Sequence, residues 1–287
     1  MKPFPIPVLA LGPGAHSEDD ALDYLPMPKD MGGYQTPILP EPDEIQPNAA
    51  VRELMAQVLQ QLQRCAQGQP GAQVPMTGLA PEDLGLIDQL LGEGEASALI
   101  AADASGTEVR IQESIFTGVW RVLLRREQRV LQEWIEVAAV PQGLLQAALD
   151  DAQSPCPPWV GSPPPNVQNA PLLVQEVRER VQRWQPGDPV HVINLTLLPV
   201  TPADIGFLDH QIGTGRVLLL SRGYGNCRIT NTRLPNCWRV VYYNSNDRVI
   251  LNTVEIIGIP EVALAAAEDM ASSHERLLDV LQYLELA

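Results

Sequence analysis

The sequence has few cysteines and no long apolar run, and each shortage excludes a class of protein. Four cysteines occur among 287 residues, and no two of them form a C-x-x-C pair. This usage excludes a disulfide framework and indicates a reducing compartment. No apolar run reaches the roughly 18 residues of a membrane-spanning helix, and prolines interrupt the apolar N-terminal residues, which makes a poor signal peptide. The sequence therefore predicts a cytoplasmic protein without membrane insertion.

Positive charge is also scarce. The chain has 19 Lys and Arg residues against 35 Asp and Glu residues, which gives a formal net charge of −16. A field of this sign repels phosphate groups and anionic lipids. The charge therefore argues against nucleic acid and membrane surfaces as partners, and it favours a basic partner such as a cationic peptide. The alternative is that the negative charge simply keeps the protein soluble.

Motifs of the common catalytic and cofactor sites are absent. The chain has no Walker sequence, no nucleophile elbow and no H-x-x-x-H pair, and its histidines are scattered. Residues 223–225 form a Gly-x-Gly run, but it lies between two predicted strands. A hairpin turn is expected there, because a phosphate-binding loop must be followed by a helix. The sequence predicts no enzyme activity, no cofactor and no metal.

The most informative feature that is present is an internal repeat. Residues between Pro81 and Gly94 recur between Pro202 and Gly215 at one offset of 121 residues. Later segments recur at offsets of 118 and 119, as two copies with slightly different loops require. The matched pairs include Asp83 and Asp204, Asp88 and Asp209, Arg110 and Arg228, Trp120 and Trp238, Arg121 and Arg239, and Pro141 and Pro260. We therefore predict a tandem duplication.

Each copy has the pattern of an α+β unit. Apolar residues at helical spacing precede a second helix, which begins at Pro81 or Pro202 and ends at a glycine pair. A short strand candidate lies before Pro81. Four strand-like segments with short turns follow, and a closing helix comes after Pro141 or Pro260. The predicted fold class is α+β, with helices, an antiparallel four-stranded meander sheet and a closing helix in each copy.

The composition divides the chain into four parts. Residues 1–47 hold ten prolines and predict a largely extended arm. Repeat 1 covers residues 48–152, and repeat 2 covers residues 172–287 with a C-terminal helix. Residues 153–171 hold seven prolines and predict a stiff linker. The leucine-rich last helix would also suit the seam of a homo-oligomer.

The second copy contains a candidate binding surface. Aromatic residues make up only 5% of the chain, so their concentration between residues 224 and 243 is informative. Exposed Tyr and Trp side chains on a sheet are effective protein-binding anchors, and core packing is the alternative for the same residues. The candidate client-binding residues are Arg222, Tyr224, Cys227, Arg228, Trp238, Tyr242, Tyr243 and Asn244.

Cys227 and Cys237 suggest a disulfide or a metal site, but two observations disfavour both. If a four-residue loop joins their strands, Cys227 pairs with Tyr242, and the two sulfurs are displaced along the strands. The first copy has Val109 and Val119 at the matching positions. We therefore expect both cysteines to be small buried apolar residues.

The second copy also resembles a known family through an ordered series of motifs. They are the segments 220–229 (LSRGYGNCRI), 236–238 (NCW), 242–245 (YYNS), 250–255 (ILNTVE), 259–262 (IPEV) and 266–269 (AAED). This series is similar to the C-terminal region of the HupH/HyaF family. Members of that family are hydrogenase expression/formation proteins of uptake [NiFe]-hydrogenase operons.

The resemblance implies a cytoplasmic accessory protein that acts as a non-catalytic chaperone in hydrogenase maturation. It implies a hydrogenase subunit precursor as the partner, with the small subunit and its twin-arginine leader favoured, and other maturation proteins as further partners. An acidic chain suits a leader that is basic and apolar. The alternative is an iron–sulfur, redox or metal carrier in hydrogenase assembly that uses Cys227.

Overall fold

The computed structural model describes residues 49–127, 129–223 and 225–283, and the predicted arm at residues 1–47 lies outside them. By their contacts, these residues form two compact units. Unit A contains the residues up to Gln142 together with those from Leu264 onward, and unit B contains Gly143–Ala263. No helix in the described part of the chain is both long enough and apolar enough to cross a membrane.

Helices and strands follow one another in a similar order in the two units. In chain order the described elements are α1 (Ala49–Ala66), β1 (Gln73–Pro75), α2 (Pro81–Leu91), β2 (Ala96–Ile100), β3 (Thr107–Glu113), β4 (Val119–Arg126), β5 (Arg129–Val137), α3 (Gln142–Ala152), α4 (Ala170–Arg183), β6 (His191–Asn194), α5 (Pro202–Ile212), β7 (Thr214–Ser221), β8 (Asn226–Thr232), β9 (Cys237–Tyr243), β10 (Val249–Ile256), a short 3₁₀ turn (Glu261–Ala263) and α6 (Ala267–Tyr283).

Within each unit, five strands lie side by side in antiparallel pairs. The order is β1-β5-β4-β3-β2 in unit A and β7-β8-β9-β10-β6 in unit B. The predicted α+β class with antiparallel strands is confirmed. Each unit, however, has five strands where the sequence predicted four. The additional strands, β1 and β6, have only three and four residues. Strand β1 is the short strand candidate before Pro81, and β6 was not predicted because a strand of this length has no recognisable alternating pattern.

Helices α2 and α5 begin and end where the sequence predicts. Their first residues are Pro81 and Pro202, because proline has the backbone φ of a helix and lacks only an N–H that would be unpaired there. They end before Gly92 and Gly213, whose φ angles are 55° and 69°. A positive φ costs glycine little, so the first glycine of each predicted pair ends its helix.

Each closing helix belongs to the other compact unit from the one that its position along the chain suggests. Helix α6 lies within the second predicted repeat, but it packs against α1 in unit A, where Leu277 and Leu281 join the core. Helix α3 lies within the first predicted repeat, but from Gly143 onward it belongs to unit B. The repeat boundaries remain a prediction about the sequence, and they differ from the boundaries of the compact units.

An arginine ties the second helix of each unit to its strands. In unit B, Arg239 on β9 donates to Asp209 on α5 at 2.8 Å and to Asn252 on β10 at 2.6 Å. In unit A, Arg121 on β4 donates to Asp88 on α2. Because the same Arg–Asp pair recurs in both units, we infer that these aspartates fix helix to sheet.

Glu113, at the end of β3, is a buried acid in unit A. It is 8% exposed, and its carboxylate accepts the N–H of Gly118 at 3.1 Å. Burial, with a further contribution from the carboxylates of Glu95 and Asp269, raises the pKa of Glu113 to about 7. The residue at the matching position of the second copy is the uncharged Asn231.

A raised pKa means that ionised Glu113 destabilises the folded protein at pH 8, by about 1.4 kcal/mol for each pKa unit of the shift. Glu113→Gln removes this cost, but its amide keeps only part of the carboxylate's hydrogen bonding. We therefore expect the substitution to stabilise the protein by about 2 kcal/mol at pH 8. Between the ordinary pKa of 4.5 and the raised value of about 7, the folded state holds a proton that the unfolded state has released. The free energy of unfolding therefore falls as the pH rises through this range.

Urea unfolding at pH 5 and pH 8 measures this effect. The variant and the unchanged protein are expected to be nearly equal at pH 5, where Glu113 is protonated in the folded state. Glu53→Gln is the control, because Glu53 is exposed and a surface substitution changes stability little. A stability difference for Glu113→Gln that is the same at both pH values would contradict the assignment.

Candidate functional site

The predicted binding residues lie on β8, β9 and the turns beside them, all in unit B. Strand β8 pairs with β9 so that Cys227 lies opposite Tyr242, as the hairpin spacing predicts. Tyr224 lies outside the described residues. The buried members are Cys227, Arg228 and Trp238, which are 1%, 8% and 2% exposed. The partly exposed members are Arg222, Tyr242, Tyr243 and Asn244.

Trp238 ties strand β9 to the chain that follows β10. Its indole N–H donates to the carbonyl oxygens of Ile257 and Gly258 at 3.1 and 3.2 Å. In unit A, the indole N–H of Trp120 donates in the same way to Ala138 at 2.9 Å. A buried indole with a satisfied N–H is a structural anchor, so the search for a contact surface turns to the partly exposed residues.

The side chains of Cys227 on β8 and Tyr242 on β9 contact each other. The hydroxyl of Tyr242 is hydrogen-bonded to the sulfur of Cys227. Burial raises the pKa of Cys227 to about 12, although the bond from Tyr242 acts to lower it. Burial, together with Cys227 and Glu255, raises the pKa of Tyr242 to about 12. At neutral pH both groups are protonated, and the thiolate needed for nucleophilic or metal-binding chemistry is disfavoured.

Cys237 points into the apolar core of unit B, and burial raises its pKa to about 12. The expectation that Cys227 and Cys237 are buried is confirmed, since each is 1% exposed. All four cysteines are unpaired. Within residues 49–127, 129–223 and 225–283, no three His, Cys, Asp or Glu side chains are arranged so that they could hold a metal ion.

These environments predict the order in which the thiols react. We expect N-ethylmaleimide to modify Cys156, which is partly exposed, at least about a hundredfold faster than Cys227 or Cys237, because the reagent needs an accessible thiolate. Mass spectrometry of peptides after timed quenching measures the rates, and protein unfolded in urea is the control in which all thiols react. Fast modification of Cys227 in the folded protein would contradict its burial.

Two turns lie beside the partly exposed residues. In the β7–β8 turn, the N–H of Gly225 donates to the carbonyl oxygen of Arg222 at 3.3 Å, and Gly225 has a φ of 93°. In the β9–β10 turn, the side-chain oxygen of Asn244 accepts the N–H groups of Asn246 and Arg248 at 2.9 and 3.0 Å. The Gly-x-Gly run thus joins two antiparallel strands, as predicted, and Asn244 fixes the neighbouring turn.

A β-bulge places an exposed aliphatic residue next to these turns. On β10, Val249 lies opposite Tyr243 and Leu251 lies opposite Tyr242, so Ile250 between them has no partner on β9. Ile250 is 56% exposed. Bulges redirect side chains and are frequent beside functional sites. We use the name bulge end for Arg222, Tyr242, Tyr243, Asn244 and Ile250.

Unit A has a bulge at the matching position. On β5, Leu131 has no partner on β4 and is 53% exposed. Sequence reasoning missed both bulges. The signal that could have revealed them is the adjacent apolar pair, Val130–Leu131 and Val249–Ile250, because strict alternation in a half-buried strand would place a polar residue at one of the two positions.

Two concave surfaces also lie in unit B. A cleft of about 290 Å³ between α3 and the β8–β9 hairpin has a mainly apolar lining that includes Leu145, Leu149, Trp238 and Ile259. A groove of about 350 Å³ lies between the chain around Trp159 and helices α4 and α5. Both sizes are close to the lower limit of small-ligand pockets, and both would accept side chains of another protein.

The sequence has close relatives among known proteins. The family model described as "HupH hydrogenase expression protein, C-terminal conserved region" matches the chain twice, at residues 48–156 and 167–284. The hydrogenase expression/formation protein HoxQ of Cupriavidus necator is 47% identical over 99% of this chain and 99% of its own length. HupQ of Azotobacter chroococcum, also a hydrogenase expression/formation protein, is 40% identical over 96% of both chains.

The hydrogenase-1 operon protein HyaF of Escherichia coli is 34% identical over 96% of this chain and 95% of its own length. These matches extend over both units, beyond the second-copy motifs that carry the resemblance. The chain therefore belongs to the HupH/HyaF family of hydrogenase expression/formation proteins.

Proposed function

We propose that this protein is a maturation factor of uptake [NiFe]-hydrogenase that binds a hydrogenase subunit precursor and does not catalyse a reaction. The observation that carries the proposal is the match over nearly the full length of relatives named hydrogenase expression/formation proteins. The favoured client is the precursor of the small subunit with its twin-arginine leader, which the family resemblance implies. A net charge of −16 is compatible with this client, because it attracts a basic segment and speeds its association. The proposed place of action is the cytoplasm, where such a precursor is made.

We also infer that the chain arose by tandem duplication of one α+β unit. Three features support this inference: the family model matches twice, the order of helices and strands recurs, and an exposed aliphatic bulge residue recurs in β5 and β10. The exchange of α3 and α6 between the compact units is compatible with duplication. Two copies of one unit have similar surfaces, so a closing helix can pack on either of them.

The bulge end combines the partly exposed members of the predicted surface with Ile250, and these residues can contact a client without unfolding. Ile250 is 56% exposed, and Tyr242, Tyr243 and Asn244 are partly exposed around it. An aliphatic residue among tyrosines and hydrogen-bonding groups has the composition of a binding hot spot. The apolar part of a leader would pack on Ile250, and its backbone would hydrogen-bond the polar neighbours.

Genetic complementation tests the proposed role. In a host with an uptake hydrogenase, deletion of this gene should lower hydrogenase activity and leave precursor unprocessed, and the unchanged gene should restore both. Normal amounts of mature enzyme after the deletion would contradict the proposal. The variant Cys227→Val, which places the residue of the first copy at this position, separates chaperone from carrier. A chaperone tolerates this exchange, whereas a carrier that needs the thiolate of Cys227 loses function.

A further inference from the structure

The turn end of the β4–β5 hairpin in unit A holds two arginines side by side. Arg126 is the last residue of β4 and Arg129 is the first residue of β5, and the two lie directly opposite each other in the strand register. Both side chains are exposed. Like charges directly opposite on neighbouring strands destabilise the pair, so this arrangement costs stability in the absence of a partner.

Neither arginine has an ion-pair partner among residues 49–127, 129–223 and 225–283. Glu108, on the neighbouring strand β3, pairs with Arg110 at 3.0 Å and with Arg125 at 3.7 Å. The positive charges of Arg126 and Arg129 are therefore available to an acidic group of another molecule.

Neutral hydroxyl groups hold Arg126 in place. Its Nε and Nη2 atoms donate to the hydroxyl oxygen of Thr107 at 3.1 and 3.0 Å, and Nη2 also donates to the hydroxyl oxygen of Ser105 at 3.4 Å. The hydroxyl of Ser105 in turn donates to Asp103 at 2.6 Å. In the described part of the chain, Nη1 of Arg126 has no acceptor. A side chain that is already fixed loses less conformational entropy when it binds a partner.

The matching end of unit B has a different chemistry. Counted from the bulges toward the turns, Asn244 and Arg248 stand at the positions of Arg126 and Arg129, and the N–H of Asn244 donates to the carbonyl oxygen of Arg248 at 2.9 Å. Both ends keep an exposed aliphatic residue at the bulge, but only unit A has arginine on both strands. Since interfaces pair complementary charges, the two ends are expected to bind partners of different charge.

We propose that this end of unit A docks an acidic segment of a partner protein. We use the name arginine tip for Arg126, Arg129, Val130 and Leu131. Guanidinium groups bind carboxylates through paired hydrogen bonds, and arginine is enriched in protein interfaces. Val130 and Leu131 are 50% and 53% exposed, and they would cover an aliphatic side chain that lies next to the carboxylates.

The charge of the whole chain selects among acidic partners. A net charge of −16 repels a long phosphate backbone, which also offers no aliphatic side chain to Val130 and Leu131. A short acidic segment responds to the nearby arginines, because charges more than about 8 Å away are largely screened at physiological salt. The arginine tip would repel the basic leader proposed for the bulge end. The two sites therefore take different partners, and this inference does not depend on the proposed chaperone function.

An acidic peptide that also carries leucines tests this inference with the full-length protein. A dye-labelled peptide of sequence GDELLEDLG is titrated with the protein, and fluorescence anisotropy at physiological salt reports binding. We expect saturable binding that Arg126→Asn, which introduces the residue of unit B, weakens by about tenfold, as loss of an interface hot spot does. The matched control is Arg248→Asn, which removes an exposed arginine from the end of unit B and should change the affinity by less than about twofold.

Thermal unfolding separates a binding role of Arg126 from a structural one. Arg126→Asn should change the Tm by less than about 2 °C, because the lost hydrogen bonds are exposed and one of two opposed charges is removed. A larger fall would mark the arginine as structural and would overturn the proposal. Absence of peptide binding, or equal losses in Arg126→Asn and Arg248→Asn, would overturn it as well. Tighter binding of a single-stranded DNA oligonucleotide than of the peptide would assign the arginines to a phosphate backbone and would also overturn it.

Discussion

Replacement of Asp204 by alanine is expected to lower the free energy of unfolding by about 4 kcal/mol, since a buried charged group and several hydrogen bonds to it are lost together. Asp204 is 1% exposed. One carboxylate oxygen accepts the N–H groups of Gln168, Asn169 and Ala170 at 2.7, 2.8 and 3.0 Å. The other accepts the N–H and the hydroxyl of Thr201, both at 2.9 Å. One side chain thus joins the N-termini of α4 and α5, where a negative charge is also favoured by the helix dipoles.

The pH dependence of this effect has a definite sign. Burial acts to raise the pKa of Asp204, but the hydrogen bonds from Thr201, Ala170 and Gln168 outweigh it and lower the pKa. A lowered pKa contributes stability above the ordinary pKa of an aspartate, and this contribution is lost as the pH falls through the lowered value. The difference between Asp204→Ala and the unchanged protein should therefore shrink in acid.

Urea unfolding at pH 7 and at pH 3 measures both the size and the pH dependence. The matched control is Asp83→Ala at the corresponding position of α2, where the carboxylate accepts the N–H of Ala80 at 3.3 Å and is partly exposed. That variant should lose only about 1 kcal/mol, as other helix N-terminal substitutions do. Equal losses for the two variants would show that Asp204 has no special role in joining α4 and α5.

Client binding is expected to fall by about thirtyfold in the double variant Tyr243→Ala and Ile250→Ser, because loss of an interface hot spot costs about 2 kcal/mol. Ile250 is exposed at a bulge and has no strand partner on β9, so a serine there should leave the free energy of unfolding nearly unchanged. The affinity of the double variant for the small-subunit precursor, measured by biolayer interferometry, gives the fold-change.

Leu131→Ser in unit A is the matched control for this variant. Leu131 has the same unpaired position on β5, with an exposed fraction of 53%, but it lacks the tyrosines that surround Ile250. We expect Leu131→Ser to change client affinity by less than about threefold, because residues outside a binding hot spot contribute little to affinity. If Leu131→Ser weakened binding as strongly as the double variant, the bulge end would not be the main contact.

Local signals in the sequence predicted much of the fold. Proline at the start and glycine after the end located α2 and α5, because each residue has a backbone preference that few others share. The hairpin spacing placed Cys227 opposite Tyr242, since the residues of an antiparallel pair are determined by loop length. The sequence did not predict strand β6, the pairing of β1 with the four-stranded sheet, or the exchange of α3 and α6. Short edge strands have no recognisable period, and a helix pattern does not specify which of two similar surfaces the helix covers.

The sequence predicted only part of the candidate site. Alternation along β9 separates two faces but does not say which of them is covered, so Trp238 was grouped with contact residues although it is 2% exposed. The presence of Trp120 at the matching position of the first copy indicated a structural role for Trp238. Ile250 was missed because a bulge shifts one residue out of the alternating pattern, and the shift becomes visible only when the register of β9 and β10 is known.

The most direct test of the central claim is co-purification of this protein with the hydrogenase small-subunit precursor, produced with and without its leader peptide. We predict capture of the form that carries the leader, weaker capture at high salt because the acidic chain attracts a basic segment, and little capture of the form that lacks it. Equal capture of both forms would contradict recognition of the leader. Capture of neither form would contradict the proposed chaperone function itself.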